Sequence, residues 1–169
     1  MFNSLWKYLG YESESVLETV IEEPKISKKK NNFEVIENPT NFYFLSLIKE
    51  DDATWSIHGL WPQYSLTKYP RFCKRAAFDI SKLNPIIEDL KEYWYSNRGP
   101  DETFWEHEYL KHGTCNFNNF DEFNYFKTTL ILFHKAISLN LPEKYYNSET
   151  DKCLIPVDKE LQFFEIKKK

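Results

Sequence analysis

No stretch of this 169-residue chain is apolar for long enough to span a membrane, and Met1–Gly10, which includes Lys7, lacks an apolar run of signal-peptide length. A membrane partner is therefore not expected, and the compartment stays open. Basic charge is also short, with 22 Lys and Arg against 26 Asp and Glu and a formal net charge of −4. Broad electrostatic binding to duplex nucleic acid needs a basic face or stripe, so the charge argues against that class. Cysteines number three, an odd count that fits one bridge and a free thiol in an oxidising compartment, or three thiols in a reducing one. Internal repeats are absent, and histidines number only four.

What is present is aromatic: 14 Phe, 11 Tyr and 5 Trp, enough apolar area for a core with rings left over to line a cleft. The length fits one domain. Residues 1–32, with an acidic half and the Lys28-Lys29-Lys30 run, show no periodicity and read as a poorly ordered polar tail, leaving residues 33–169 as the domain. Phe42–Ile48 and Thr54–His58 read as strands from their aromatic and β-branched content. Asn84-Pro85 reads as N-cap and first position of a helix to about Asn97, stopped by Gly99-Pro100. Asp101 is then expected to cap the next helix. Asp121–Leu139 reads as a longer helix whose Phe123, Phe126, Leu130, Phe133 and Ile137 form a core stripe, with His134 off any site. Cys153–Val157 and Leu161–Ile166 read as a closing strand pair. The pattern implies an α+β fold, an antiparallel β-sheet with packed helices.

Three of the four histidines fall in two short segments, Ser56-Ile57-His58-Gly59-Leu60-Trp61-Pro62-Gln63 and His107-Glu108-Tyr109-Leu110-Lys111-His112-Gly113-Thr114-Cys115. On a helix, Glu108 and His112 fall within ~40° of each other, as do His107 and Lys111. His107 and His112 are roughly 140° apart, unlike the i, i+4 histidines that share a zinc ion in metalloproteases. Gly113 is expected to stop the helix and leave His112 in its last turn, where the carbonyl end favours protonation and a carboxylate can hold the ring. Imidazoles with a reference pKa of ~6.5, facing one phosphate, can serve as base and acid in a single turnover. That chemistry suits RNA cleavage by the RNA's own 2′-hydroxyl, and Lys111 would offset charge building on the phosphate. Each residue taken singly fits a solvated or core role. Their clustering beside Phe104 and Trp105 does not.

Both segments, over Trp55–Gln63 and Phe104–Cys115, resemble the two signature segments of the T2 family of ribonucleases, the acid enzymes that include the plant S-locus ribonucleases. The resemblance extends over Trp55–Asn140, including Phe78-Asp79-Ile80-Ser81. It implies a ribonuclease T2-like fold and a metal-independent endoribonuclease, both lyase and hydrolase, with no cofactor. Carried over by position, His112 is the general base on the 2′-hydroxyl and His58 the general acid on the leaving 5′-oxygen. Glu108 and Lys111 stabilise the pentavalent phosphate, His107 helps hold it, and Trp61 packs against a bound base. The cysteine of Tyr69-Pro70-Arg71-Phe72-Cys73 is implied to bridge to Cys115. The expected partner is single-stranded RNA, bound by a monomer and cut to a 2′,3′-cyclic phosphate and then a 3′-phosphate.

The departures are as specific. Phe42–Ile48 runs into Lys49-Glu50-Asp51-Asp52 where the family has a Gln-Trp-Pro element, so base preference is unreadable. Cys153 has no evident partner, and Val157-Asp158-Lys159-Glu160-Leu161 resembles the family's closing hairpin without its cysteines. Two alternatives are a catalytically silent member that binds RNA or protein, and a metal hydrolase using His107, His112 and Cys115.

Overall fold

The computed structural model describes residues 33–167; the tail expected over 1–32 lies outside the described residues. Strands β2 (Phe42–Lys49) and β3 (Trp55–Gln63) form an antiparallel hairpin. Its turn is closed by Glu50 N–H donating to Thr54 O at 3.0 Å, with Ala53 at a left-handed φ of 64°. Asp52 accepts from both the Thr54 N–H and its hydroxyl, at 3.0 and 2.6 Å. The acidic run after β2 is therefore a turn, with the Asp52 carboxylate spent on the local backbone and a hydroxyl. The sheet continues through β5 (Lys152–Val157) to β4 (Tyr146–Asn147) in the order β3-β2-β5-β4, every neighbour antiparallel. The closing strand pair differs from expectation. Val157 bridges Phe163, but β6 (Glu165–Ile166) pairs in parallel with β1 (Val35–Ile36) as a separate ribbon.

Helices cover the sheet, as expected for an α+β fold. A 3-10 segment (Ile80–Ile86) leads into α1 (Ile87–Tyr93), with Asp79 as its N-cap accepting from Ser81 N–H. Pro85 thus lies inside that segment instead of opening a helix, and the α-helix stops short of Asn97. Helix α2 (Asp101–Lys111) follows Pro100. The Asp101 carboxylate does not cap α2; it accepts from Ser96 N–H at 2.7 Å and pins the preceding loop. A 3-10 turn, Gly113–Cys115, continues from α2. Helix α3 (Glu122–Ser138) is capped by Asp121, which accepts from Asn124 N–H. Its buried face holds Phe126, Leu130 and Phe133 as expected, but it is turned toward Tyr125, Thr129, Leu132 and Ala136 and leaves Ile137 exposed. Tyr125 can enter the core because its hydroxyl donates to Leu60 O at 3.0 Å, and Thr129 because its own donates to Tyr125 O. Helix α4 (Leu141–Tyr145) closes the set.

One irregularity in the sheet decides where the site forms. Ser46 pairs with Gly59 but Leu47 pairs with Ile57, so His58 is an extra residue, a β-bulge. Side chains alternate along a strand, so residues an odd number apart normally face opposite ways. The bulge cancels one step: Ile57 and Leu60 both reach the core, and His58 and Trp61 can share a side.

Candidate active site

Two indole hydrogen-bond links join β3 to α2. Trp94, at the end of α1, donates its Nε1–H to the carbonyl of the bulged His58 at 3.0 Å, and Trp105 on α2 donates to Trp94 O at 2.6 Å. Both rings are almost wholly buried, so the bulge is locked to the helix that carries the second segment. The other link is direct: Trp61 Nε1–H donates to Glu108 Oε2 at 2.8 Å. Gly59 makes room for it, since a Cβ there would run into Glu108 Oε2 and the Trp61 indole. Gly113 works similarly. It has no left-handed φ, but a Cβ would strike the Tyr109 ring, so it permits close packing where a helix-stopping conformation was expected.

Trp61 is in ring contact with both segment histidines. His58 lies edge-on to it with centroids 4.9 Å apart, and His112 stacks on it at 5.2 Å with 24° between the planes. Phe104 lies 5.7 Å from His58. Glu108, 1% exposed, sets Oε1 3.8 Å from His58 Nε2. His58, Trp61, Glu108 and His112 therefore form one cluster. His107 stands on the outer shoulder of α2, its ring 6.3 Å from Phe72. The positive charges of His107 and Lys111 are felt by both His58 and His112.

Burial dominates the electrostatics. It lowers His58 to about 4, with Lys111, His107 and Arg98 adding repulsion. It lowers His112 to about 3, reinforced by Lys111, His107 and His58. It also raises Glu108 to about 7, against the Trp61 hydrogen bond and the Lys111 charge. The carbonyl end of α2 was expected to favour protonated His112; desolvation of a ring 3% exposed outweighs that contribution. Nor does a carboxylate hold this ring. Among the described residues, neither His112 nitrogen has a hydrogen-bond partner, and Glu108 is engaged by Trp61 and His58 instead.

Cys73 and Cys115 form a disulfide with Cα atoms 5.1 Å apart, fastening the loop before Phe78 to the turn after α2, while Cys153 is a buried free thiol. Phe72 N–H donates to Lys111 O at 2.9 Å and Cys73 N–H to Thr114 Oγ1 at 3.2 Å. His134 packs edge-on against Tyr93, away from the cluster. Gly59, Trp94 and Phe72 were not singled out by sequence reasoning. The glycine inside a strand-like run was the one available signal, because such a glycine marks a bulge or a close approach. No group of three or more His, Cys, Asp or Glu among the described residues is arranged to hold a metal ion. The disulfide also removes Cys115 from the ligand set that a metal hydrolase would use.

An antiparallel sheet clad by helices, with two histidine segments joined by an indole and a buried carboxylate, defines a class. The sequence places the chain within it: residues 29–152 match the family model described as the Ribonuclease T2 family, and the chain belongs to that family. It is 39% identical over 87 residues to Ribonuclease DdI of Dictyostelium discoideum, covering 50% of this chain and 39% of that protein. It is 44% identical over 73 residues to Ribonuclease Oy of Magallana gigas, covering 40% and 34%. The matched stretch thus spans less than half of these curated relatives. Among solved structures, ribonuclease MC1 from bitter gourd seeds superposes with a TM-score of 0.59 at 21% identity, covering 76% of this chain and 95% of that one. An RNase-related protein from Calystegia sepium gives 0.60 at 22%, covering 78% and 93%. RNase NT in complex with 5′-AMP gives 0.57 at 21%, covering 75% and 90%. These superpositions show a shared fold.

Proposed function

We propose that residues 33–169 form an endoribonuclease domain that cuts single-stranded RNA by transesterification, with no metal. The observation that carries this reading is the contact of one indole, Trp61, with both His58 and His112 while it hydrogen-bonds Glu108. His112, neutral above a pKa of about 3, takes the proton of the ribose 2′-hydroxyl. The 2′-oxygen attacks the adjacent phosphorus, and His58 gives a proton to the departing 5′-oxygen. The products are a 2′,3′-cyclic phosphate and a free 5′-hydroxyl, and water then opens the ring to a 3′-phosphate. Lys111 and His107 place positive charge where the phosphorane gains negative charge, and Glu108, held near neutral by burial, can donate to a phosphoryl oxygen. Because Trp61 covers His112, RNA must displace or slide beneath the indole, and a base then takes the stacking face that the imidazole holds. DNA lacks the attacking hydroxyl.

The test is cleavage of single-stranded RNA in excess EDTA by the protein and by His58→Ala, His112→Ala and His134→Ala. The first two are expected to lose ~10²–10⁴-fold in rate, with His134→Ala near wild type and DNA intact throughout. Equal losses from His112→Ala and His134→Ala would show that the site is misassigned. Intact RNA with the unaltered protein would favour the silent, RNA- or protein-binding alternative.

A further inference from the structure

The stretch from Tyr64 to Phe78 departs from the rest of the chain in charge. It carries Lys68, Arg71, Lys74 and Arg75, including two of the protein's three arginines, and no Asp or Glu, although acidic residues outnumber basic ones overall. Every residue from Arg71 to Ala77 is solvent-exposed. Among the described residues, none of these four cations is in an ion pair. Phe72 is 58% exposed and adopts a left-handed φ of 52°, a conformation that a bulky residue seldom takes. A solvated surface loop accounts for the charges but not for a strained backbone that leaves a phenyl ring in water.

The segment is also fixed at its centre. The Cys73–Cys115 disulfide, Phe72 N–H on Lys111 O and Cys73 N–H on Thr114 Oγ1 tie it to the end of α2, where Lys111 and His112 stand. The Phe72 ring lies 6.3 Å from His107. An anchored strip of cations with an exposed aromatic therefore starts at the rim of the histidine cluster.

We propose that Arg71–Arg75 is a track for the RNA strand beyond the two nucleotides that flank the cut, with Phe72 stacking on an outlying base and Arg71, Lys74 and Arg75 holding phosphates. It rests on the reading that the cluster acts on single-stranded RNA. Grooves that hold single strands pair cations along the backbone with aromatic faces for bases, and guanidinium groups fit phosphate with two parallel hydrogen bonds. Contacts remote from the scissile linkage make a long strand a better substrate than a dinucleotide. An acidic protein gains local affinity for RNA in this way without a basic face.

The experiment compares a ribodinucleotide with a twelve-nucleotide RNA containing the same step, and adds binding of an uncleavable 2′-O-methyl strand of that sequence. The variants are Phe72→Ala, the double Lys74→Ala/Arg75→Ala, and Lys152→Ala on β5 as a charge control. For the first two, the ratio of kcat/KM on the long strand to that on the dinucleotide is expected to fall about tenfold or more. For the double variant, the slope of log affinity against log salt should lessen by ~0.7 for each phosphate that the track no longer holds. Lys152→Ala should keep the wild-type ratio and slope. Wild-type ratios and slopes in the track variants, with both substrates cut, would overturn the track and leave catalysis standing. Binding of the 2′-O-methyl strand that depends on Phe72, Lys74 and Arg75, by a protein that cuts neither RNA, would sustain the track while the catalytic reading fails.

Discussion

In the proposed mechanism, Glu108 is where activity and stability are opposed. Its carboxyl is raised from 4.5 to about 7 by burial, which the Trp61 hydrogen bond and Lys111 only partly offset. Below pH 4.5 the group is protonated in folded and unfolded chains alike, and its favourable contribution to folding is complete. As pH rises through about 7, the folded protein must ionise a buried carboxyl, and that contribution is lost. Glu108→Gln is therefore expected to stabilise the protein at pH 8 by on the order of 1–3 kcal/mol, to change little at pH 4, and to slow RNA cleavage. Thermal unfolding of both proteins at the two pH values checks it; equal differences at both would show an ordinary carboxyl. His58 and His112 act in the reverse direction. Both are lowered, so their contribution is complete above ~6.5 and is lost as pH falls through about 4 and about 3.

The elements differ in how far the sequence reveals them. Strands β2 and β3, helix α3, and the gathering of His58, Trp61, Glu108 and His112 were legible, because residue content, periodicity and motif resemblance mark them. The bulge at His58 was not, because an extra residue shows only in the register of the partner strand. Asp79, not Asn84, begins the helical segment because its carboxylate captures both the N–H and the hydroxyl of Ser81. Asp101 departs from its expected capping role because its carboxylate bonds a backbone N–H outside its own helix. The pairing of Cys73 with Cys115 came from resemblance, and the structure agrees. With the two cysteines 42 positions apart in the sequence, the bridge restricts a large loop in the unfolded chain. The Cys73→Ser/Cys115→Ser variant is expected to lose about 2–5 kcal/mol in denaturant unfolding; an unchanged midpoint would mean that the packing of α2, through Trp105, against Trp94 alone holds this end.

Taken together, the fold brings two segments of one acidic chain against a single indole. The sheet supplies His58 and Trp61, α2 supplies Glu108 and its C-cap His112, and the Trp94–Trp105 relay holds them in register. The central claim is that the imidazoles at 58 and 112 act on one phosphodiester, one neutral and the other charged. The most direct measurement is kcat/KM for RNA against pH, for the protein and for the residual rates of His58→Ala and His112→Ala. With His112 losing its proton near 3 and His58 near 4, the profile should be a bell on the acid side of ~6.5. His112→Ala should lose the rising limb and His58→Ala the falling one. An optimum at or above neutrality, or variants that retain both limbs, would contradict the paired-histidine account.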